Sequence, residues 1–329
     1  MSKQEKIYDY SDDTSLAIET KELTYKFAGT SKIGLENISL QIPWGSTNLI
    51  IGPNGAGKST LLRILAGKTL IRKGKLKIGG FDPFEFSMTR NEQHNSDINN
   101  YITYLGTEWA ANSVVKRDIP VNLLISSIGG ESYSERRDLL LDILDIDPEW
   151  SMMRISDGER RRVQIAMGLV KPWRLLLLDE VTIDLDVIVR SRLLNFLRKE
   201  CVERRCCVVY ATHIFDGLGK DWCDRIIHLD AGIKVDDVDM KNVKFVNDTE
   251  GKVQVDESSV KIPLAQSLHP LALHWLYHDL EERGTRAEEK IRMQKRHNDW
   301  NNSRDGKYFD ADEHKLAAYF KATRSYEGK

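Results

Sequence analysis

A chain of 329 residues with 48 basic and 50 acidic side chains, net charge −2, is long enough for one large domain or two ordinary ones and gives no strong nucleic-acid signal. No apolar run approaches the ~20 residues that span a bilayer, and the polar start does not read as a signal peptide, so no direct membrane insertion is expected. The four cysteines, Cys201, Cys206, Cys207 and Cys223, lack metal-ligand spacing and read as buried free thiols of a reducing compartment, with Cys206 and Cys207 facing opposite ways in a strand.

In chain order, residues 1–15 read as a mobile arm. Leu16, Ile18, Leu23, Tyr25 and Phe27, then Ile38, Leu40 and Ile42, alternate imperfectly with polar positions and predict two antiparallel strands. The apolar Leu49-Ile50-Ile51 then runs into Gly52-Pro53-Asn54-Gly55-Ala56-Gly57-Lys58-Ser59-Thr60 and a helix-like segment, 61–67. A glycine, four residues and Gly-Lys-Ser between a buried strand and a helix start is a cradle for nucleotide phosphates. The glycines let successive N–H groups point inward, and the helix adds the positive end of its dipole. Lys58 would reach the β- and γ-phosphates, and the Ser59 hydroxyl would ligate Mg²⁺. A chance glycine-rich turn does not supply that whole pattern in that context.

Residues 74–81 predict another strand ending in a glycine turn, and the polar stretch 82–100 an exposed insertion. Strand character returns at 101–105, before Gly106-Thr107-Glu108-Trp109. Helices are expected at 121–128 and at 135–144, the second with a stripe of Leu139, Leu140, Ile143 and Leu144 that excludes Leu141. Ser156 and Glu159 have the spacing of a capping box for a helix reaching about Val170. By themselves Arg160, Arg161 and Arg162 read as a solvated basic turn. The run 174–180 ends in Asp179 and Glu180, the pattern of a central parallel strand that delivers acids to the sheet edge, although two such acids can also cap the next helix. A helix at 186–201, a strand at 206–212 ending before His213, and a hairpin around Ala231-Gly232 follow. Beyond Val235, 243–246 and 253–255 read as a small hairpin. Pro270 begins a helix whose Leu271, Trp275 and Leu276 favour docking on the protein's own core over a partner site, and 281–329 is charged, helical or partly disordered.

The succession of phosphate loop, Ser-x-Gly helix start, strand-Asp-Glu, Leu-Asp and strand-His resembles the nucleotide-binding domain of the ABC ATPase family over about 16–235. The resemblance implies an α/β P-loop fold: a mixed core sheet flanked by helices, an antiparallel β subdomain, a helical subdomain near 106–172 and a small C-terminal extension, 236–329. It also implies ATP and Mg²⁺ as ligands. Asp179 would hold Mg²⁺ through water, Glu180 polarise the attacking water and His213 sense the γ-phosphate. Ser156 and Gly158 would donate to the γ-phosphate from an opposite subunit, so a homodimer in the ATP-bound state follows, with the loop at Asp186 linking the two sites. For the adenine the family stacks an early aromatic; Phe27 is the better match and Tyr25 the runner-up, unless both simply pack the small sheet. The chain departs from the family at Glu108, where a glutamine is usual and a carboxylate can still touch Mg²⁺ or water, at Asp157 and Glu159 in the signature, and at Val181. The extra acids put the hydrolysis rate in question.

Further strings, including Met167-Gly168-Leu169-Val170-Lys171-Pro172-Trp173 and Ser267-Leu268-His269-Pro270-Leu271-Ala272-Leu273, resemble a small group of stand-alone eukaryotic ABC ATPases. A fungal type in that group is associated with a deadenylase and transcription-regulatory complex. The resemblance implies a protein partner of that kind and a place in the cytoplasm or nucleus. The rival expectations are the ATPase subunit of a membrane transporter with separate membrane chains, and an ATP-binding scaffold with little turnover.

Overall fold

The computed structural model describes residues 15–28, 32–71, 73–84, 102–106, 117–215, 217–246, 254–256, 259–263 and 268–284, with isolated positions between 288 and 295. The expected arm before residue 15, the insertion beyond residue 84, Thr107, Glu108 and Trp109, and the charged end of the chain lie outside the described residues.

The chain runs β1 (Ile18–Lys26), β2 (Ile33–Ile42), β3 (Thr47–Ile51), α1 (Lys58–Leu65), β4 (Lys73–Ile78), β5 (Ile102–Leu105), α2 (Val121–Ser127), α3 (Ser134–Ile143) and α4 (Asp157–Leu169). It continues with β6 (Leu175–Asp179), α5 (Val187–Arg204), β7 (Cys207–Ala211), β8 (Arg225–Asp230), β9 (Ile233–Asp239), β10 (Val243–Val246), β11 (Gln254–Asp256), β12 (Ser259–Pro263) and α6 (His269–Arg283). The main sheet has the order β5-β6-β7-β3-β8-β9, parallel throughout except for the β8–β9 hairpin at one edge. β3, β6 and β7 are buried at all five positions, as expected of near-continuous apolar runs in a sheet covered on both faces.

Their period-2 alternation sorts side chains into two cores. Ile51, Leu176, Leu178, Val208 and Tyr210 face α2 to α6, while Ile50, Leu175, Leu177 and Val209 face α1 and the small antiparallel sheet β2-β1-β4. Cys206 and Cys207 divide the same way, and all four cysteines are buried and free. Burial raises Cys206 to about 11 and Cys207 and Cys223 to about 12.

Two expectations need correction. On α3, Leu139 is 48% exposed, while Leu140, Ile143 and Leu144 are buried and Leu141 packs half-buried against the core. The stripe is displaced because α4 and α5, not the helix's own periodicity, decide which face is covered. In the extension, 243–246 does not form a hairpin with 253–255. β10 pairs with β12 in parallel, and the hairpin is β11 with β12.

Leu268, just before helix α6, and Leu271, Ala272 and Trp275 on the helix are buried in the larger core. Trp275 stacks on His228 of β8, with ring centroids 4.7 Å apart and planes at 7°. His228 Nε2 also lies 2.9 Å from the buried Asp279 carboxylate. The extension therefore reaches the sheet beside the phosphate loop, since His228 is in register with Ile51 of β3.

Candidate nucleotide site

The phosphate loop leaves β3 at Ile51 and turns into α1 over a tightly packed floor. A Cβ on Gly52 would lie 2.0 Å from the Leu229 carbonyl of β8. Gly57, at φ +102, would put one 2.8 Å from the Gly34 carbonyl. Side chains at these two positions would lift the loop off its neighbours. Gly57 is the N-cap of α1 and supplies no capping side chain, so the first N–H groups of the helix remain for an anion.

Lys58 is buried, and its Nζ donates to its own loop at Gly52 O (2.8 Å) and Pro53 O (3.1 Å). Burial lowers its pKa, although the charges of Glu180 and Asp179 oppose the shift. Ser59 Oγ donates to Asp179 Oδ1 at 3.0 Å, joining α1 to the end of β6. Tyr104 on β5 donates to the other carboxylate oxygen at 3.1 Å, and its phenol is pushed up to about 12, chiefly by burial and then by the Asp179 charge.

Glu180 follows β6 with φ +54, a left-handed conformation that costs a non-glycine residue about 1–2 kcal/mol. It is held from both sides: its N–H donates to Ala211 O at 2.9 Å, and its carbonyl accepts from Arg161 Nη2 at 3.5 Å. Glu180 Oε1 lies 2.9 Å from His213 Nε2, which is 3.4 Å from Lys58 Nζ. Burial and then the Lys58 charge lower the His213 pKa, with Glu180 opposing both.

A cleft of about 160 Å³ lies over the start of α1. It is lined by Gly55, Lys58, Ser59, Thr60 and Glu180 together with Phe27 and Lys32, which follow β1 and precede β2. Tyr25 is not part of that lining; it packs half-buried on the second core and meets Phe27 edge-on at 5.1 Å. Pro53, Asn54 and His213 line an adjoining cavity of about 330 Å³ to which α6 contributes Leu276, Asp279 and Leu280.

Ser156, Gly158 and Asp186 are not among the residues lining the cleft. Ser156 caps α4: its Oγ accepts from Glu159 N at 3.2 Å, and the Glu159 carboxylate takes both Ser156 N–H and Ser156 Oγ–H at 2.8 Å. These bonds hold the Glu159 carboxyl below its ordinary pKa. Asp157 is exposed and paired with Arg160. Gly158 backs onto the Asp184 carbonyl, and a Cβ there would approach it to 3.0 Å. Asp186 caps α5 through Ile188 and Val189 N–H groups and pairs with Arg162 at 2.7 Å.

The three arginines are therefore not a solvated turn. Arg161 is buried, and its guanidinium ties Gly106 O (3.0 Å) and Val181 O (3.2 Å) to Gln164. Gln164 Nε2 donates to the same Gly106 carbonyl at 3.0 Å. Arg161, Gln164 and Tyr104 are site-framing residues that motif reading missed. Arg161 was findable, because it stands four and eight positions before Ile165 and Leu169 on the buried face of α4.

Among the described residues no cluster of three His, Cys, Asp or Glu side chains could hold a metal by itself. The oxygen pair of Ser59 and Asp179 fits a hard cation of the Mg²⁺ type, which completes its shell with water and phosphate oxygens.

Residues 35–183 match the family model described as ABC transporter. CCR4-associated factor 16 of Saccharomyces cerevisiae is 51% identical over 278 residues, covering 81% of this chain and 96% of the yeast protein. ABC transporter I family member 20 of Arabidopsis thaliana is 41% identical over 211 residues, 61% of each chain. Among solved structures, the ATP-binding subunit of an ABC transporter shares the fold with a TM-score of 0.57 at 20% identity, over 69% of this chain and 91% of that one. A dimeric ATP-binding cassette in a post-hydrolysis state with ADP and Pi does so with a TM-score of 0.55 at 23% identity, over 68% and 98%. No described helix is long and apolar enough to cross a membrane. With the phosphate loop, the Asp179-Glu180 strand end and the Ser156 helix start in a chain that the yeast relative matches along most of its length, the protein belongs to the ATP-binding cassette (ABC) family.

Proposed function

We propose that the chain is an ATPase that binds ATP with Mg²⁺, closes head-to-tail with a second copy, reopens after hydrolysis and passes that movement to a protein partner. The observation that carries this reading is the convergence of Lys58, the Ser59–Asp179 pair and the Glu180–His213 pair at one end of the sheet. In this reading the loop N–H groups and Lys58 bind the β- and γ-phosphates, and Phe27 stacks on the adenine across the cleft. Lys58 leaves its contacts with Gly52 O and Pro53 O for phosphate oxygens. Ser59 and Asp179 hold Mg²⁺, with Glu108 as an additional oxygen ligand. When bound, the ion neutralises charge that develops on the transferred phosphoryl group. Glu180 accepts a proton from the attacking water, and His213 keeps its carboxylate aimed while contacting the γ-phosphate.

Ser156 and Gly158 stand apart from the cleft and serve the site of the other copy, where the α4 N-terminus faces the γ-phosphate. Ser156 must then exchange the Glu159 carboxylate for a phosphate oxygen. Asp186 ties this helix start to α5 through Arg162 and couples the two sites. The name of the yeast relative supports a protein partner, of the deadenylase and transcription-regulatory kind that the sequence resemblance implies, in the cytoplasm or nucleus.

Turnover of the purified wild type, Lys58→Ala and Glu180→Gln tests the reading. Wild-type hydrolysis, loss of ATP binding in Lys58→Ala, and retained binding with turnover reduced about 10²-fold or more in Glu180→Gln are expected. Equal turnover in the wild type and Glu180→Gln would refute the assigned base. Tight ATP binding without any wild-type turnover would make the chain a scaffold.

A further inference from the structure

Two hydroxyl groups donate to the Asp179 carboxylate from opposite sides, Ser59 to Oδ1 and Tyr104 to Oδ2. Only Ser59 belongs to the phosphate-loop motif. Tyr104 comes from β5, the neighbour of β6 in the sheet, where it is in register with Leu177. Its ring is packed half-buried against the second core, Lys68 Nζ stands 4.5 Å from the ring centroid, and the Arg63 side chain hydrogen-bonds the phenol. The backbone at Gly106 closes over it so tightly that a Cβ there would come within 2.5 Å of the hydroxyl. The phenol is thus fixed on several sides before it meets Asp179.

We propose that Tyr104 is a positioning residue for the metal-holding carboxylate. A terminal carboxylate torsion is broad and roughly two-fold, so an Asp side chain held at one oxygen can swing. Ser59 supplies one hold only while its hydroxyl is free; in the Mg²⁺-ATP reading, on which this assignment rests, Ser59 turns to the ion. Tyr104 then becomes the group that keeps Oδ2 in place and leaves Oδ1 aimed at the ion's water shell. A phenol does this without adding charge. The cations nearby, Lys68 and Arg63, engage the tyrosine's ring face and oxygen, and the carboxylate's negative charge stays available to the metal. Partners of metal ligands characteristically alter metal affinity or activity by about 10–100-fold when removed.

The experiment is Tyr104→Phe, which keeps the ring and its Lys68 contact and deletes only the donor. Binding of a fluorescent ATP analogue is titrated with Mg²⁺, and Mn²⁺ occupancy is followed by electron paramagnetic resonance. Expected are unchanged nucleotide affinity in EDTA, a Mg²⁺ half-saturation raised about 10-fold, and recovery of turnover at high Mg²⁺. Lys68→Met, which unloads the ring face but spares the hydroxyl, should leave the Mg²⁺ dependence unchanged. Wild-type Mg²⁺ dependence in Tyr104→Phe, or equal shifts in both variants, overturns the assignment and leaves the ATPase reading standing. A wild type whose ATP binding ignores Mg²⁺ overturns both.

Discussion

Replacing Asp279 by alanine removes the acceptor that lies 2.9 Å from His228 Nε2, at a contact where the two side chains are only 5% and 2% exposed. His228 Nδ1 has no hydrogen-bond partner, and Trp275 covers one face of the ring, so the imidazole would be buried with neither nitrogen satisfied. A hydrogen bond to a charged group is worth about 1.5–3 kcal/mol, and leaving its buried partner unsatisfied adds about 1–3 kcal/mol. The two effects together give roughly 3–5 kcal/mol. Asp279→Asn keeps a neutral acceptor and should cost only about 1 kcal/mol. At about 1.4 kcal/mol per decade, alanine shifts the docking equilibrium of α6 by a hundredfold or more, and asparagine by roughly fivefold. Hydrogen exchange of the α6 amides measures this directly. In Asp279→Ala they should exchange faster by that factor while β3 and β7 keep their protection. Unchanged α6 exchange, or equal acceleration in every strand, would refute a separately latched helix.

Two further outcomes are expected. Arg161→Met keeps much of the buried volume but strips Val181 O and Glu180 O of their guanidinium donors, while Gly106 O retains Gln164. Urea unfolding should show a loss of about 2–3 kcal/mol, with reduced turnover because the left-handed Glu180 loses its clamp; a loss under about 0.5 kcal/mol would contradict the role given to Arg161. Glu200 is nearly buried, which alone would raise its pKa, but Arg136 at 2.8 Å and Arg204 outweigh burial and hold it below its ordinary value. A depressed folded-state pKa contributes stability above the unfolded-state pKa and loses it as pH falls through the folded one. The stability gap between the wild type and Glu200→Gln should therefore hold from neutrality down to the usual carboxylate range and shrink below it. A gap that widens in acid would reverse the sign of the argument.

What could be read from the sequence was local. The phosphate loop, the Ser156–Glu159 capping box and the apolar run into Asp179 each fit in a few consecutive residues, and each sits where its pattern places it. The departures Asp157 and Glu159 raised a concern about charge that their surroundings answer in part. One is paired with Arg160, and the other is spent on the cap. Contacts between distant segments were not legible. The Asp279–His228 bond joins residues 51 apart in the chain, and Tyr104 reaches Asp179 across 75. The parallel β10–β12 pairing and the displaced face of α3 depend likewise on what arrives from elsewhere.

In the proposed function the cleft is half of a site that a second copy completes, and sedimentation of Glu180→Gln puts this to the test. Expected are a monomer without nucleotide and a dimer with ATP and Mg²⁺. Adding Gly158→Asp in the same background should return the protein to a monomer while ATP still binds each copy. A monomer at saturating ATP, or a dimer indifferent to Gly158, would contradict it.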